Sequence, residues 1–168
     1  MSVKEVLLLG NPKLREKSSN VKKFDDEFEI NLKNLSETLS HLQKEKQIGR
    51  AIAAPQIGWM KNVIFYNLPE RAFSMINPRI LWKSETMIEV WDSCFCFDVA
   101  FFIEIERYKE IQVQYLDKRG NKKIEKFADD LSELVQHEID HLNGILATDH
   151  LKNPHKIIMR NEWERRFK

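Results

Sequence analysis

Gln136-His137-Glu138-Ile139-Asp140-His141-Leu142 is the stretch on which the reading of this chain turns. Two histidines four residues apart lie on one face of a helix, one turn apart, so both imidazoles can reach a single metal ion. Glu138 is offset from His137 by about 100° around the helix, which places its carboxylate beside the open position of such a metal. There it can take a proton from water and pass it to a leaving amine. The helix carrying the motif begins at Asp129 or Asp130, where Asp130 and Glu133 have capping-box spacing, and stops at Asn143-Gly144. His41, His150 and His155 share no such spacing and read as surface residues.

Two imidazoles do not complete a site. The extended metzincin pattern fails here, because His150 lies beyond the helix stop. A cysteine is the better third ligand. Trp91-Asp92-Ser93-Cys94-Phe95-Cys96-Phe97 reads as a buried strand bordering the helix. One Cys, two His and a water make a four-coordinate site with one open position, the catalytic layout. Cys94 and Cys96 suit a disulfide poorly, because neighbouring extended residues hold their side chains apart. On a strand, however, residues two apart face the same side, so both sulfurs could close a Cys2His2 structural site.

Outward from the motif, the pattern is that of an α+β chain. From Asp25 to Lys46 the apolar positions Phe28, Leu32, Leu35, Leu39 and Leu42 make the stripe of an amphipathic helix. A strand-like run at Leu7-Leu8-Leu9 is closed by Asn11-Pro12, and Gly49 to Gly58 reads as a close-approach loop. Val63 to Tyr66 and Ser74 to Asn77 read as strands, with Pro78 at an edge or bulge. Ile111, Val113 and Tyr115 alternate with polar neighbours, and Lys118 to Asn121 turns the chain into Ile124 to Ala128. A last helix opens at Asn153, with Pro154 in its first turn, and runs to Phe167. These elements predict one domain over residues 1–168. Antiparallel sheets pack around a central metal-binding helix, with an N-terminal and a C-terminal helix.

The 168 residues suffice to bury a core, and 27 Lys and Arg against 26 Asp and Glu leave no drive toward nucleic acid or anionic membrane. The apolar run near the N-terminus is too short for a signal-peptide core or a membrane span, so the cytoplasm is expected.

Three ordered segments resemble the peptide deformylase family. They are Gly49-Arg50-Ala51-Ile52-Ala53-Ala54-Pro55-Gln56, Asp92-Ser93-Cys94-Phe95-Cys96 and Gln136 to Leu142. Asn11-Pro12-x-Leu14-Arg15, Ile76-Asn77-Pro78 and the Gly120 hairpin extend the likeness over essentially the whole chain. The resemblance implies hydrolysis of the formyl group from the formyl-methionine that begins nascent proteins. It makes Cys94, His137 and His141 ligands of one divalent metal ion per chain and Glu138 the general acid-base. Gln56 and the backbone N–H of Phe95 would donate to the oxyanion. The metal implied is Fe2+, with Zn2+, Ni2+ or Co2+ compatible with the same thiolate and imidazole set. Asp92 and Arg107 are expected as a pair behind the ligands. Formyl-methionine termini imply a transient ribosome contact, for which Lys156, Arg160, Arg165, Arg166 and Lys168 offer a surface. That charge by itself reads as a solvated helix face.

The departures fall along the substrate path. Asp92, Ser93, Phe95 and Cys96 stand where the family has Glu, Gly, Leu and Ser. Arg50 and Ala51 replace an aliphatic residue and a glycine. Arg50, Ala51, Ile52, Phe95, Glu133 and Leu134 are the expected substrate contacts, with Arg50 and Glu133 read as two solvated charges rather than a pair. These changes motivate a competing reading, an amidase or peptidase acting on another N-acyl or peptide substrate. The Cys2His2 structural site is a third.

Overall fold

The computed structural model describes residues 2–168. Asp25 caps the first helix, accepting the Phe28 N–H at 3.1 Å, and α1 runs Asp26–Lys46. Its five predicted apolar positions are all buried. The strands in chain order are β1 Ala51–Ala53, β2 Val63–Asn67, β3 Ala72–Lys83, β4 Met87–Asp92, β5 Phe101–Tyr108, β6 Glu110–Leu116, β7 Lys122–Ala128 and β8 Ile157–Met159. Two further helices are α2 Asp129–Leu142 and α3 Arg160–Phe167. The strands form one sheet in the order β1-β2-β3-β6-β7 and a second in the order β4-β5-β8. Every pairing is antiparallel.

Side-chain alternation sends the larger sheet's residues to two separate cores. Ile52, Val63 and Ile76 meet Leu35, Leu39 and their neighbours on α1. Ala51, Ala53, Ile64, Tyr66 and Met75 meet Leu134, Val135, Ile139 and Leu142 on α2. The metal-motif helix is thus held against the sheet by its apolar face, and it also contacts β5 of the second sheet. The predicted α+β architecture holds, with α2 at its centre.

Local expectations fail where tertiary partners intervene. Leu7 to Leu9 forms no strand: Leu7 N–H donates to Gln56 O and Leu9 N–H to Cys96 O, each at 2.8 Å, so the run straddles two loops. The Trp91–Phe97 strand ends at Asp92 and a 3-10 helix follows at Phe95–Phe97. No capping box opens α2; Ala128 holds the cap position without a side-chain bond, because Asp130 and Glu133 turn to Arg50 instead. Ile157–Met159 is a strand rather than helix, since it pairs with Phe101 to Ile103 and buries Ile158. Pro78 sits at a bulge: the β3–β6 register shifts between Ile76 and Arg79, and Asn77 has φ 51°. Among the described residues no helix is long and apolar enough to cross a membrane.

Gly144 ends α2 with φ +71°, and a Cβ there would lie 2.4 Å from Arg15 O. Backbone cannot move aside as a flexible side chain can. Gly144→Ala should therefore cost about 2 kcal/mol or more of unfolding free energy, read as a lower urea midpoint.

Candidate metal centre and its cavity

The midsection of α2 projects into a cavity of about 530 Å³ bounded by α2, the β1 loop, β4 and the turn after it. His141 Nε2 lies 3.2 Å from His137 Nε2 and 3.3 Å from Cys94 Sγ. Cys94 reaches this point because β4 ends at Asp92 and the next residues turn inward. His141 Nε2 therefore faces both other donors, and all three residues are buried. The mutually close donor groups are Cys94, Cys96 and His141 on one side and Asp92, Glu133 and His137 on the other.

The orientation of His137 is set from behind. Its Nδ1 lies 2.8 Å from Asp92 Oδ1, so Nδ1–H donates to the carboxylate and Nε2 is turned to the donor cluster. Arg107 binds Asp92 at 3.0 Å and Asp140 at 2.5 Å, and Asp140 meets His150 Nε2 at 2.7 Å. The Asp92–Arg107 pair is as expected. His150 is not a free surface residue: it is half-buried on Asp140. No spacing could have shown this, because it depends on the loop after α2 folding back on the helix.

These charges govern protonation. Burial opposes the charge on Asp92, but His137 and Arg107 outweigh it and hold the carboxyl at about 2. Burial likewise opposes a charged His137, yet Asp92 raises it to about 10. Burial, then the His137 charge, depresses His141 to about 3. The positive charge thus sits on His137, and His141, across a 3.2 Å gap, is neutral. A divalent cation fits that gap and would replace the proton. Burial pushes the Cys94 thiol up, and a cation against the sulfur reverses this. The donor set fits a divalent metal.

Glu138 is 4% exposed and its Oε2 has no hydrogen-bond partner among the described residues. Burial pushes its carboxyl up to about 7, against the pull of His137. Gln56 is held by Ala53 N–H donating to its Oε1 at 2.8 Å, which aims Nε2 at Cys94 Sγ, 3.6 Å away. Phe95 opens the 3-10 helix, so its N–H has no partner within that helix. The Phe95 ring occupies the space that a Cβ on Gly49 would need, 2.2 Å from its tip.

Of the expected substrate contacts, Arg50, Ala51, Phe95, Glu133 and Leu134 line the cavity. Ile52 does not; it is fully buried under α1. Arg50 and Glu133 are not two solvated charges: Arg50 bridges Asp130 and Glu133, the latter at 3.5 Å with a side chain only 12% exposed. Ser93 lies outside the left-handed region, and its hydroxyl donates to Phe101 O at 2.8 Å. Arg160, expected on an outer basic face, turns inward: Nε donates to Val99 O, Nη2 to Ser93 Oγ, and the guanidinium covers Phe102 at the cavity.

Donors for one metal, a buried carboxyl near neutrality and amide donors at one cavity floor define a metal-dependent hydrolase. Residues 3–157 match the polypeptide deformylase family. The peptide deformylase of Pseudothermotoga lettingae is 35% identical over 160 residues, covering 95% of this chain and 90% of that protein. The one from Brachyspira hyodysenteriae is 30% identical over 168 residues, covering 95% and 87%. Among solved structures, peptide deformylase from Thermotoga maritima superposes with a TM-score of 0.83 at 30% identity, covering 91% of this chain and 100% of that one. A complex of the Synechococcus elongatus peptide deformylase with actinonin gives 0.84 at 25% identity, covering 96% and 84%. The chain belongs to the peptide deformylase family of metallohydrolases.

Arg107→Leu should cost about 3–5 kcal/mol at pH 7 by removing the buried guanidinium that Asp92 and Asp140 share. Asp92 has a depressed folded-state pKa, about 2, so its contribution is present above about pH 4 and lost as pH falls toward 2. The difference between variant and parent in urea unfolding should therefore shrink across that window.

Proposed function

We propose that this chain hydrolyses the N-formyl group from the formyl-methionine that begins nascent polypeptides. The observation that carries the reading is the convergence of Cys94 Sγ and two imidazole nitrogens beside the partnerless carboxylate oxygen of Glu138. A divalent metal held by Cys94, His137 and His141, Fe2+ by resemblance or Zn2+, Ni2+ or Co2+, would polarise the formyl carbonyl and acidify a water. Glu138 takes the proton of the attacking water and delivers it to the amide nitrogen as the C–N bond breaks, releasing formate and a free amine. Gln56 Nε2 and the Phe95 N–H donate to the carbonyl oxygen as it gains negative charge. Asp92 and Arg107 hold His137 in the orientation this requires.

β1 lies at the edge of its sheet, facing the cavity side, where an extended peptide can add as a further strand. A peptide deformylase from Acinetobacter baumannii has been solved with Met-Ala-Ser bound, at 27% identity and a TM-score of 0.79 over 89% of this chain and 99% of that one. This reading implies a cytoplasmic enzyme and transient ribosome contact. Of the five basic residues offered for such contact, Arg160 turns inward and Lys156, Arg165 and Lys168 pair with Glu104, Glu162 and Glu164, which leaves Arg166 the one without an ion pair among the described residues.

One observation favours a second reading, another N-acyl or peptide substrate. The cavity wall carries the Arg50–Asp130–Glu133 ion-pair cluster, a polar surface where a thioether would call for an apolar one. Rates with formyl-Met, acetyl-Met and unblocked peptides, measured on anaerobically prepared protein of known metal content, decide between the two. Formyl-Met should lead; faster turnover of acetyl or unblocked peptides would replace the first reading with the second. The structural-zinc alternative does not survive membership in a hydrolase family.

Glu138→Gln should retain metal while kcat falls at least about 100-fold, because it removes proton transfer but no ligand. Near-parental turnover would exclude the role. Gln56→Ala should cost about 3–4 kcal/mol in kcat/KM, with a pure KM effect demoting the residue to substrate positioning.

A further inference from the structure

The second thiol, Cys96, just behind the cavity floor, has no part in the reaction just described. Cys96 stands where the family resemblance places serine, and the backbone brings it back onto Cys94. Cys94 is extended, with φ −144° and ψ 148°, while Phe95 between the two cysteines is the first residue of the 3-10 helix. A helical residue draws its neighbours' Cα atoms to about 5.5 Å, inside the span that disulfides bridge. The expectation that these cysteines are held apart assumed extended chain throughout, and it fails at Phe95. Both sulfurs and a ring nitrogen of His141 lie within 4.8 Å of one another. The Cys96 N–H also donates to Cys94 Sγ at 3.3 Å. Gln56 Nε2 touches both sulfurs, at 3.6 Å and 3.4 Å. Cys94 lines the cavity, whereas Cys96 is sealed behind it at 1% exposure. A solute entering the cavity meets Cys94 first, and Cys96 is the group placed to respond.

We infer that Cys94 and Cys96 form a redox-reactive dithiol at the metal centre, which a hydroperoxide converts to an intramolecular disulfide with loss of the metal. In the first step the Cys94 sulfur attacks a peroxide oxygen, the O–O bond breaks, and a sulfenic acid and one water form. In the second, the Cys96 sulfur attacks the Cys94 sulfur and the S–O bond breaks. Hydroxide leaves and takes the Cys96 proton as a second water. Two thiols give up two electrons and two protons, and hydrogen peroxide becomes two waters. A lone thiol would continue to sulfinic and sulfonic acids, which thiol reductants do not reverse. The neighbouring sulfur stops that progression. A disulfide is no longer the thiolate that binds metal, so two imidazoles would remain as ligands. The metal-loss part rests on Cys94 being a ligand; disulfide formation rests only on the placement of the two sulfurs.

The test uses the full chain loaded with zinc, which has no redox chemistry of its own. Intact mass, free thiols and released zinc are followed after hydrogen peroxide is added. The parent should lose about 2 Da and both thiols, release about one zinc per chain, and recover all three on reduction. Cys96→Ser and Cys96→Ala should instead gain mass in steps of about 16 Da and fail to recover after the first step. Oxygen uptake by the parent matching that of the variants would overturn the inference. So would a disulfide joining two chains, or zinc retained by the disulfide form. Zinc content before peroxide is scored separately: a chain that binds none overturns the metal-centre reading, while its mass after peroxide still decides the disulfide.

Discussion

The contact between Asp92 and His137 is the constraint on which the site depends. A carboxylate 2% exposed is costly to bury, and an ion pair seldom recovers the whole cost of leaving water. What it supplies here is orientation. Asp92 ends β4 of the smaller sheet, and His137 is on the helix packed against the larger one. Their hydrogen bond ties the two layers together at the point where His137, the proposed metal ligand, is turned in a set direction. Arg107 on β5 joins Asp92 to Asp140 on the same helix. The second sheet thus grips α2 at two positions about one turn apart.

That arrangement separates the protonation states of neighbouring groups. Asp92 remains charged, His137 and His141 are pushed in opposite directions, and Glu138 is brought near neutrality by burial. The helix supplies all but the first of these groups, so their differences arise from what packs around each. A general base working near neutral pH needs that setting, because an exposed glutamate would be too weak to take a proton from water.

The cavity shows how far such a frame admits variation. Arg50, Asp130 and Glu133 place charge on its wall, and Phe95 packs into the space left by Gly49. Apolar packing of Leu134 and Ala51 beneath the charged wall ties it to the core. The rim is not separate from the groups behind His137, because Glu133 reaches within 4.8 Å of both Asp92 and His137.

The α1 stripe, the β6–β7 hairpin, the helix carrying His137, Glu138 and His141, and the stop at Gly144 were all legible in the sequence. Each is written in local periodicity or in the steric demands of one residue, which chain neighbours alone impose. The Asp92–Arg107 pair was legible only through resemblance. The tertiary structure alone decided the rest. It turned Cys96 onto Cys94 through a 3-10 helix where a strand was expected, and it joined Arg50 to Glu133 and Asp130 rather than to water. It also folded His150 onto Asp140 and drew Arg160 inward to Ser93. Each of these contacts joins residues far apart in the chain or reverses a local preference, and its energy exists only once both sheets are assembled around α2.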